Sequence, residues 1–269
     1  MGKFEFRENH LTHEWIIIAP SRAKRPDVAK GVEPPCPFCH GAEDQTPKEV
    51  FRLGKGEPNK PGWQVRVVPN KFPFAPTHEI IIHNPVHHEN FFTYSAEHIA
   101  KIVRVYKARY IENKSKGQVY IFHNHGLGAA ESLPHSHTQL TVISKDVILD
   151  VPRMGVPENV FRKSKYFSLF CPSTSQWSYE VWFAPHDRGK QFGDIRDVEI
   201  KDLAKNLSKI LKKLEKVFSE DFPFNFYIYQ GGDWYLRLIP RVKVTGGFEL
   251  GTGIFVNTVP PEVAARQLR

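Results

Sequence analysis

Cysteine and methionine are scarce in this chain, at three and two among 269 residues. Three thiols cannot build the disulfide framework of a small secreted domain, and the close pair Cys36 and Cys39 suggests a metal instead. No stretch approaches the roughly 20 apolar residues that a bilayer span requires. The opening segment Met1-Gly2-Lys3-Phe4-Glu5-Phe6-Arg7 has no apolar signal core. The expected location is therefore cytoplasmic, with no membrane partner. Signatures of nucleic-acid binding are also missing: there is no Cys2His2 finger, helix-turn-helix or RNA-binding motif. The net charge of +8 still needs an account. Lys205, Lys209, Lys212, Lys213 and Lys216 alternate with Leu203, Leu207, Ile210, Leu214 and Val217. That alternation is the wet face of an amphipathic helix. A basic protein that handles small phosphorylated substrates fits better than a nucleic-acid binder.

What the chain does contain is 41% apolar and 25% charged residues, enough to bury one large core or two modest ones. Residues 1–30 hold one expected strand, Trp15-Ile16-Ile17-Ile18, followed by the basic run Ser21 to Pro26. Residues 31–62 read as a long loop, a length that needs a function or a staple. Beyond it, one pattern occurs twice. The first copy has strands at Val65–Pro69 and His78–Ile82, and a helix capped by Ser95 with the stripe Ile99, Ile102, Val103, Tyr106 and Tyr110. Strands at Val119–Phe122 and Gln139–Ile143 close it. The second has strands at Tyr166–Phe170 and Tyr179–Pro185, a helix from Val198 to Phe218, and strands at Phe224–Tyr229 and Trp234–Ile239. The expected fold is α+β: a duplicated unit of antiparallel sheet with helices packed on it. The domains fall at 1–150 and 151–269. Each copy leaves sheet edges to cover, by pairing the copies or two chains.

The chemistry concentrates at Leu133-Pro134-His135-Ser136-His137-Thr138-Gln139. In a strand, alternate residues share a face, so His135, His137 and Gln139 form one polar row. The counterpart row in copy two, Tyr235, Arg237 and Ile239, has no histidine, so one copy alone is expected to be catalytic. Gly126-Leu127-Gly128-Ala129-Ala130-Glu131-Ser132 is a small-residue loop whose N–H groups and Ser132 hydroxyl can approach phosphate. Cys36-Pro37-Phe38-Cys39 has the spacing that lets two thiolates share one tetrahedral metal. Two more ligands are needed, and His87, His88, His123, His125 and His135 are all candidates.

The chain resembles the galactose-1-phosphate uridylyltransferase family, the transferase branch of the histidine-triad superfamily. The resemblance runs through Trp15 to Pro26, Cys36-Pro37-Phe38-Cys39, Val67-Val68-Pro69-Asn70-Lys71-Phe72-Pro73, Asn84-Pro85-Val86-His87 and Phe122 to Gln139. It continues at Tyr179-Glu180-Val181, Gly246-Gly247-Phe248-Glu249 and Asn257 to Glu262. It implies one structural Zn2+ held by Cys36, Cys39, His87 and His135, with His88 as the alternative to His87. It also implies that His137 is the nucleophile that accepts a nucleotidyl group. Gln139 stands where related hydrolases carry a third histidine. An amide cannot donate a proton as an acid at neutral pH, but it can hydrogen-bond a phosphoryl oxygen, which favours transfer over hydrolysis.

By the same resemblance, Arg22, Arg25 and Asn124 serve the phosphates beside Gly126 and Ser132 of the small-residue loop, Asn70 and Phe72 the base and ribose, and Phe248 and Glu249 the hexose. Gln230, Trp234 and Arg237 are expected at the border of that end, with core packing the alternative for Trp234. The implied reaction is ping-pong transfer of UMP from UDP-glucose to galactose 1-phosphate. The alternative is adenylyl transfer or phosphorolysis of ADP-glucose or dinucleoside polyphosphates. Nucleotide sugars and sugar phosphates are then the partners, and the chain a homodimer. Three departures stand out: the segment from Gln139 to Tyr166 is short, Asp233-Trp234-Tyr235 replaces a histidine pair that holds a second metal in some relatives, and Arg188 replaces a histidine. One zinc and no iron are expected.

Overall fold

The computed structural model describes residues 4–25, 35–219, 221–229 and 231–269. Its centre is a ten-stranded antiparallel sheet. The first half contributes β3 (Phe51–Gly54), β4 (Trp63–Pro69), β5 (Thr77–Ile82), β6 (Gln118–His125) and β7 (His137–Ile143). The second contributes β8 (Val160–Lys163), β9 (Phe167–Phe170), β10 (Val181–Pro185), β11 (Phe224–Tyr229) and β12 (Tyr235–Pro240). In space the order is β3-β4-β5-β7-β6-β11-β12-β10-β9-β8. The two copies therefore meet at β6 and β11, with Phe226 opposite His123 and Phe224 opposite His125. An inner edge of each copy is covered by the other within one chain. A separate two-stranded ribbon joins β1 (Glu5–Glu8) to β2 (Trp15–Ile18).

Two long helices cover one face of the sheet. Helix α1 (Ala96–Asn113) begins where the Ser95 hydroxyl accepts the His98 N–H at 3.1 Å, a cap whose loss typically costs about 1 kcal/mol. Helix α2 (Asp197–Phe218) carries Asp197 and Glu199 in its first turn, where carboxylates complement the positive end of the helix dipole. Ile99, Ile102, Val103, Tyr106 and Tyr110 from α1 join Leu203, Leu207, Ile210 and Leu214 from α2 in one core. They pack against Val65, Ile81, Leu140, Phe183, Phe226 and Leu238 of the sheet. The 3.6-residue stripe on each helix meets the period-two inner face of the strands. The opposite sheet face carries two smaller clusters, Phe38, Trp63, Val68, Ile80 and Ile82 in the first half and Met154, Phe170, Trp182, Ala184 and Tyr235 in the second. Two short helices, α3 (Gly247–Thr252) and α4 (Pro261–Gln267), complete the chain.

The fold is the expected α+β duplication of a histidine-triad-like unit, with three strands that pattern alone does not give. Three of the four residues of the ribbon strand β1 are charged, the sheet-edge strand β3 lies inside the Gly- and Pro-rich stretch read as loop, and β8 is the other sheet edge. Edge and ribbon strands bury little, so they leave only a faint apolar signature.

Candidate functional site

Cys36, Cys39, His87 and His135 come together with their ligand atoms all within 4.8 Å of one another. Sγ of Cys36 lies 3.5 Å from Nδ1 of His135, and Sγ of Cys39 lies 3.2 Å from Nδ1 of His87 and 3.7 Å from Nδ1 of His135. A tetrahedral ion with bonds of about 2.3 Å to sulfur and about 2.05 Å to nitrogen would set sulfur–nitrogen edges of about 3.6 Å. The donor set fits a metal. Nε2 of His135 donates to the Asn84 carbonyl at 2.7 Å, which leaves the Nδ1 lone pair facing the thiols, the usual arrangement of a supported imidazole ligand. Burial pushes the Cys36 thiol up to about 12, so a bound divalent ion would have to displace that proton. His88 is not in the cluster; its ring packs edge-on against His87 at 4.7 Å.

Strand β7 places His137 beside this cluster, at the wall of a cavity of about 470 Å3. Nδ1 of His137 lies 2.8 Å from the His135 carbonyl. A carbonyl only accepts, so Nδ1 carries the proton and Nε2 keeps a lone pair. Burial and the charge of Arg25 hold this imidazole below its usual range. Phe38, between the two cysteines, packs its ring 5.4 Å from that of His137. The same cavity is lined by Arg25, Gln45, Thr46, Asn70, Lys71, Phe72, Ser132 and Gln139, and by the apolar surfaces of Val68, Ile80 and Leu133. Two cations, three amides, two hydroxyls and a buried imidazole lone pair thus face one apolar-floored space.

Other expected site residues stand behind the wall or away from it. The Arg22 guanidinium donates to the Phe72 carbonyl at 2.8 Å and lies 4.8 Å over the Phe74 ring. It braces the turn that presents Asn70 and Phe72. Within that turn the Asn70 side-chain oxygen accepts the Phe72 N–H at 2.8 Å. Asn124 donates to the Ala130 carbonyl and accepts from Asn225 at 2.9 Å, which pins the loop 126–132 from beneath. Gly126 has φ +78, and a Cβ there would meet Cβ of Pro223 at 3.0 Å, so glycine is needed on both counts. Its N–H is held by Glu131 at 2.8 Å. Phe248 is exposed on α3, and Glu249 pairs with Lys243 at 3.0 Å. Neither lines the 470 Å3 cavity.

Two border residues have other duties. Trp234 packs in the core against Phe167 and Phe192. Arg237 forms a buried bidentate pair with Glu180, at 2.7 and 2.8 Å. Gln230 lies outside the described residues. Arg237 borders a second cavity, of about 490 Å3, whose described walls contain no histidine or cysteine. One residue that the sequence reading passes over does belong to the site. Nε2 of His78, on β5, lies 2.9 Å from the side-chain oxygen of Gln139. Its alternation with Ile80 and Ile82 signals only a strand, and the partner is 61 positions away.

The assembled structure is histidine-triad-like: one ten-stranded antiparallel sheet whose strand β7 presents His137 and Gln139 to a cavity. Comparison with known proteins agrees. Residues 18–146 match the family described as "Domain of unknown function (DUF4931) N-terminal domain". An ADP-glucose phosphorylase of Arabidopsis thaliana is 27% identical over 98% of this chain and 92% of its own length. A galactose-1-phosphate uridylyltransferase of Thermotoga maritima is 24% identical over 98% of both. The crystal structure of an Arabidopsis thaliana ADP-glucose phosphorylase with bound ADP-glucose superposes with a TM-score of 0.77, at 25% identity and over 99% of both chains. The chain is a nucleotidyltransferase enzyme on a histidine-triad fold. Within that class it resembles the galactose-1-phosphate uridylyltransferases, with relatives of that name and an ADP-glucose phosphorylase both aligned along nearly the whole chain. Among the described residues, no helix is long and apolar enough to cross a membrane.

Proposed function

We propose that the chain moves UMP from UDP-glucose to galactose 1-phosphate by a ping-pong route through His137. The observation that carries this reading is the 2.8 Å contact of His137 Nδ1 with the His135 carbonyl, which assigns the ring proton to Nδ1 and leaves the Nε2 lone pair at a cavity wall. In the first step Nε2 attacks the α-phosphorus, the bond from phosphorus to the bridging oxygen breaks, and glucose 1-phosphate leaves with that electron pair. In the second, a phosphate oxygen of galactose 1-phosphate attacks the same phosphorus and the phosphorus–nitrogen bond breaks, restoring the imidazole lone pair. Gln139 and Ser132 donate hydrogen bonds to the nonbridging oxygens, where negative charge accumulates. Arg25 faces the diphosphate, with Arg22, Asn124 and Gly126 holding the surrounding loops in place, and Asn70 and Phe72 enclose the nucleoside. The ion at Cys36, Cys39, His87 and His135 is Zn2+ in this reading. With four protein ligands it has no open position, so it staples residues 36–39 to the strand that bears His137.

The catalytic unit is domain 1–150, and domain 151–269 is its non-catalytic counterpart. The protein acts in the cytoplasm as a homodimer. Phe248 and Glu249 then serve the hexose end from the neighbouring copy, which is consistent with the exposure of Val244, Phe248, Leu250 and Ile254. A second reading, adenylyl transfer to phosphate from ADP-glucose, is favoured by the likeness to the Arabidopsis phosphorylase.

Incubation with UDP-glucose or ADP-glucose, an alkaline quench and intact-mass analysis separate the two. A UMP adduct that disappears in His137→Ala is the expected result. An AMP adduct selects the second reading. An undiminished adduct in His137→Ala removes His137 as the nucleophile.

A further inference from the structure

The inner surface of the cavity raises a question that its wall residues alone do not answer. A carboxamide is useful to a phosphoryl group only through its NH2; turned over, it presents an oxygen that repels phosphate. Something must set the orientation of Gln139. His78 is buried, with its ring 4.3 Å from that of Phe74. The Phe74 N–H points at Nδ1 of His78, at 3.4 Å. That nitrogen is therefore the acceptor, and the ring proton sits on Nε2. The nearest acceptor to Nε2 is the Gln139 side-chain oxygen, at 2.9 Å. The Asn70 side-chain nitrogen, 3.0 Å from the same atom, is a donor and on its own favours a lone pair on Nε2; the Phe74 N–H at Nδ1 and the nearer Gln139 oxygen, which can only accept, together outweigh it. The opposite tautomer would aim an Nδ1–H at the Phe74 N–H and oblige Gln139 to turn its oxygen toward the cavity. Burial lowers the His78 pKa to about 4, so the ring holds one proton at neutral pH.

We propose that His78 is a positioning residue for nucleotidyl transfer: its Nε2–H holds the Gln139 oxygen, so that the Gln139 NH2 faces the phosphoryl group beside His137. The proposal rests on the transfer reading above. His78 touches no reacting atom and acts on the transfer step through Gln139, while its contact with Asn70 lies at the nucleoside end. It also keeps a donor-rich face on the cavity, because an N–H at this position favours oxygen behind the wall and nitrogen in front of it.

The test is the quenched-flow rate of adduct formation with UDP-glucose and, separately, ADP-glucose. It is measured in His78→Leu, His78→Gln, Gln139→Ala and the double variant His78→Leu/Gln139→Ala, with metal content and melting temperature followed in each. Loss of an oriented donor to a developing oxyanion costs roughly 100- to 1,000-fold. A donor that survives but wanders should cost less, so His78→Leu is expected to slow the step about 10- to 100-fold, with half-saturating nucleotide sugar changed less than about threefold. His78→Gln keeps an N–H within reach of Gln139 and should recover most of the rate. In the Gln139→Ala background, His78→Leu should have almost no further effect, because residues acting as one unit are not additive. His78→Phe, which keeps a ring against Phe74 without a donor, replaces His78→Leu if that variant melts early.

Undiminished rates in His78→Leu, or an equal loss with and without Gln139, would overturn the proposal while leaving transfer intact. So would a His78→Gln variant that keeps its metal and melting temperature but is as slow as His78→Leu. No adduct in the wild type with either nucleotide sugar would remove the transfer reading and the role of His78 with it.

Discussion

Glu180→Leu is the most direct way to ask what the second half of the sheet does. Glu180 and Arg237 are almost fully buried, with side-chain exposures of 1% and 7%. The carboxylate accepts Nε and a terminal nitrogen of Arg237 and also the Trp182 indole N–H at 2.6 Å. Arg237 donates further to Tyr227 at 3.0 Å and Gln176 at 3.1 Å. Removing the carboxylate leaves a guanidinium with two neutral partners and no counter-charge, and an indole N–H unpaired. Breaking one side of a buried pair in this way costs about 3–5 kcal/mol. For a chain of this size that lowers the melting temperature by about 10 °C. Replacing both partners, as in Glu180→Leu/Arg237→Met, removes the orphan charge and should recover most of that loss. Scanning calorimetry on the single and double variants reads both quantities. Adduct formation at 25 °C should stay within about twofold of wild type, because neither residue lines the cavity that holds His137. A Glu180→Leu variant that melts within about 2 °C of wild type would refute the reasoning. A double variant worse than either single would refute it equally.

Two further perturbations bear on the site. Cys36→Ser should lower the bound metal well below one ion per chain, read by elemental analysis, and lower the melting temperature with it. Full metal content would show that Cys36 is not a ligand. Gly126→Ala forces a side chain into a left-handed backbone and against Pro223, so urea unfolding should show a loss of about 1–2 kcal/mol. An unchanged midpoint would mean that the loop relaxes freely.

Legibility from sequence follows the amount of surface that each element buries. Helix α2 is expected at Val198–Phe218 and observed at Asp197–Phe218, because ten of its side chains repeat at the helical period on a buried face. Strand β7 is buried at every position, and its second half, Leu140-Thr141-Val142-Ile143, marks it in the sequence. Strand β1 alternates exposed and half-buried residues and carries three charges in four positions, so nothing in its composition separates it from a loop. The site divides on a similar line. Cys36 and Cys39 announce a metal by spacing alone, whereas the choice of His87 and His135 among five histidines came from resemblance and not from any local pattern. Asn124 and Arg22 illustrate a different limit. The resemblance implies phosphate contact for both, but their hydrogen bonds go to Asn225, to the Ala130 carbonyl and to the Phe72 carbonyl. Which group a polar side chain faces depends on packing partners tens of residues away. His78 is the extreme case, a strand histidine whose meaning lies wholly in a contact between β5 and β7.

His135 and His137 show how one residue type, two positions apart, acquires different chemistry. For His135 the backbone claims Nε2, through the Asn84 carbonyl, and leaves Nδ1 among the thiols. For His137 the backbone claims Nδ1 and leaves Nε2 at the cavity wall. The carbonyl that performs the second assignment belongs to His135 itself. Anchoring His135 among the thiols therefore also fixes the hydrogen-bond acceptor that selects the His137 tautomer. A rotation of the His135 peptide would free the His137 ring to turn, and the lone pair would no longer be held toward the wall. In the proposed transfer, this coupling would give the Cys/His cluster a kinetic consequence without any role in bond making.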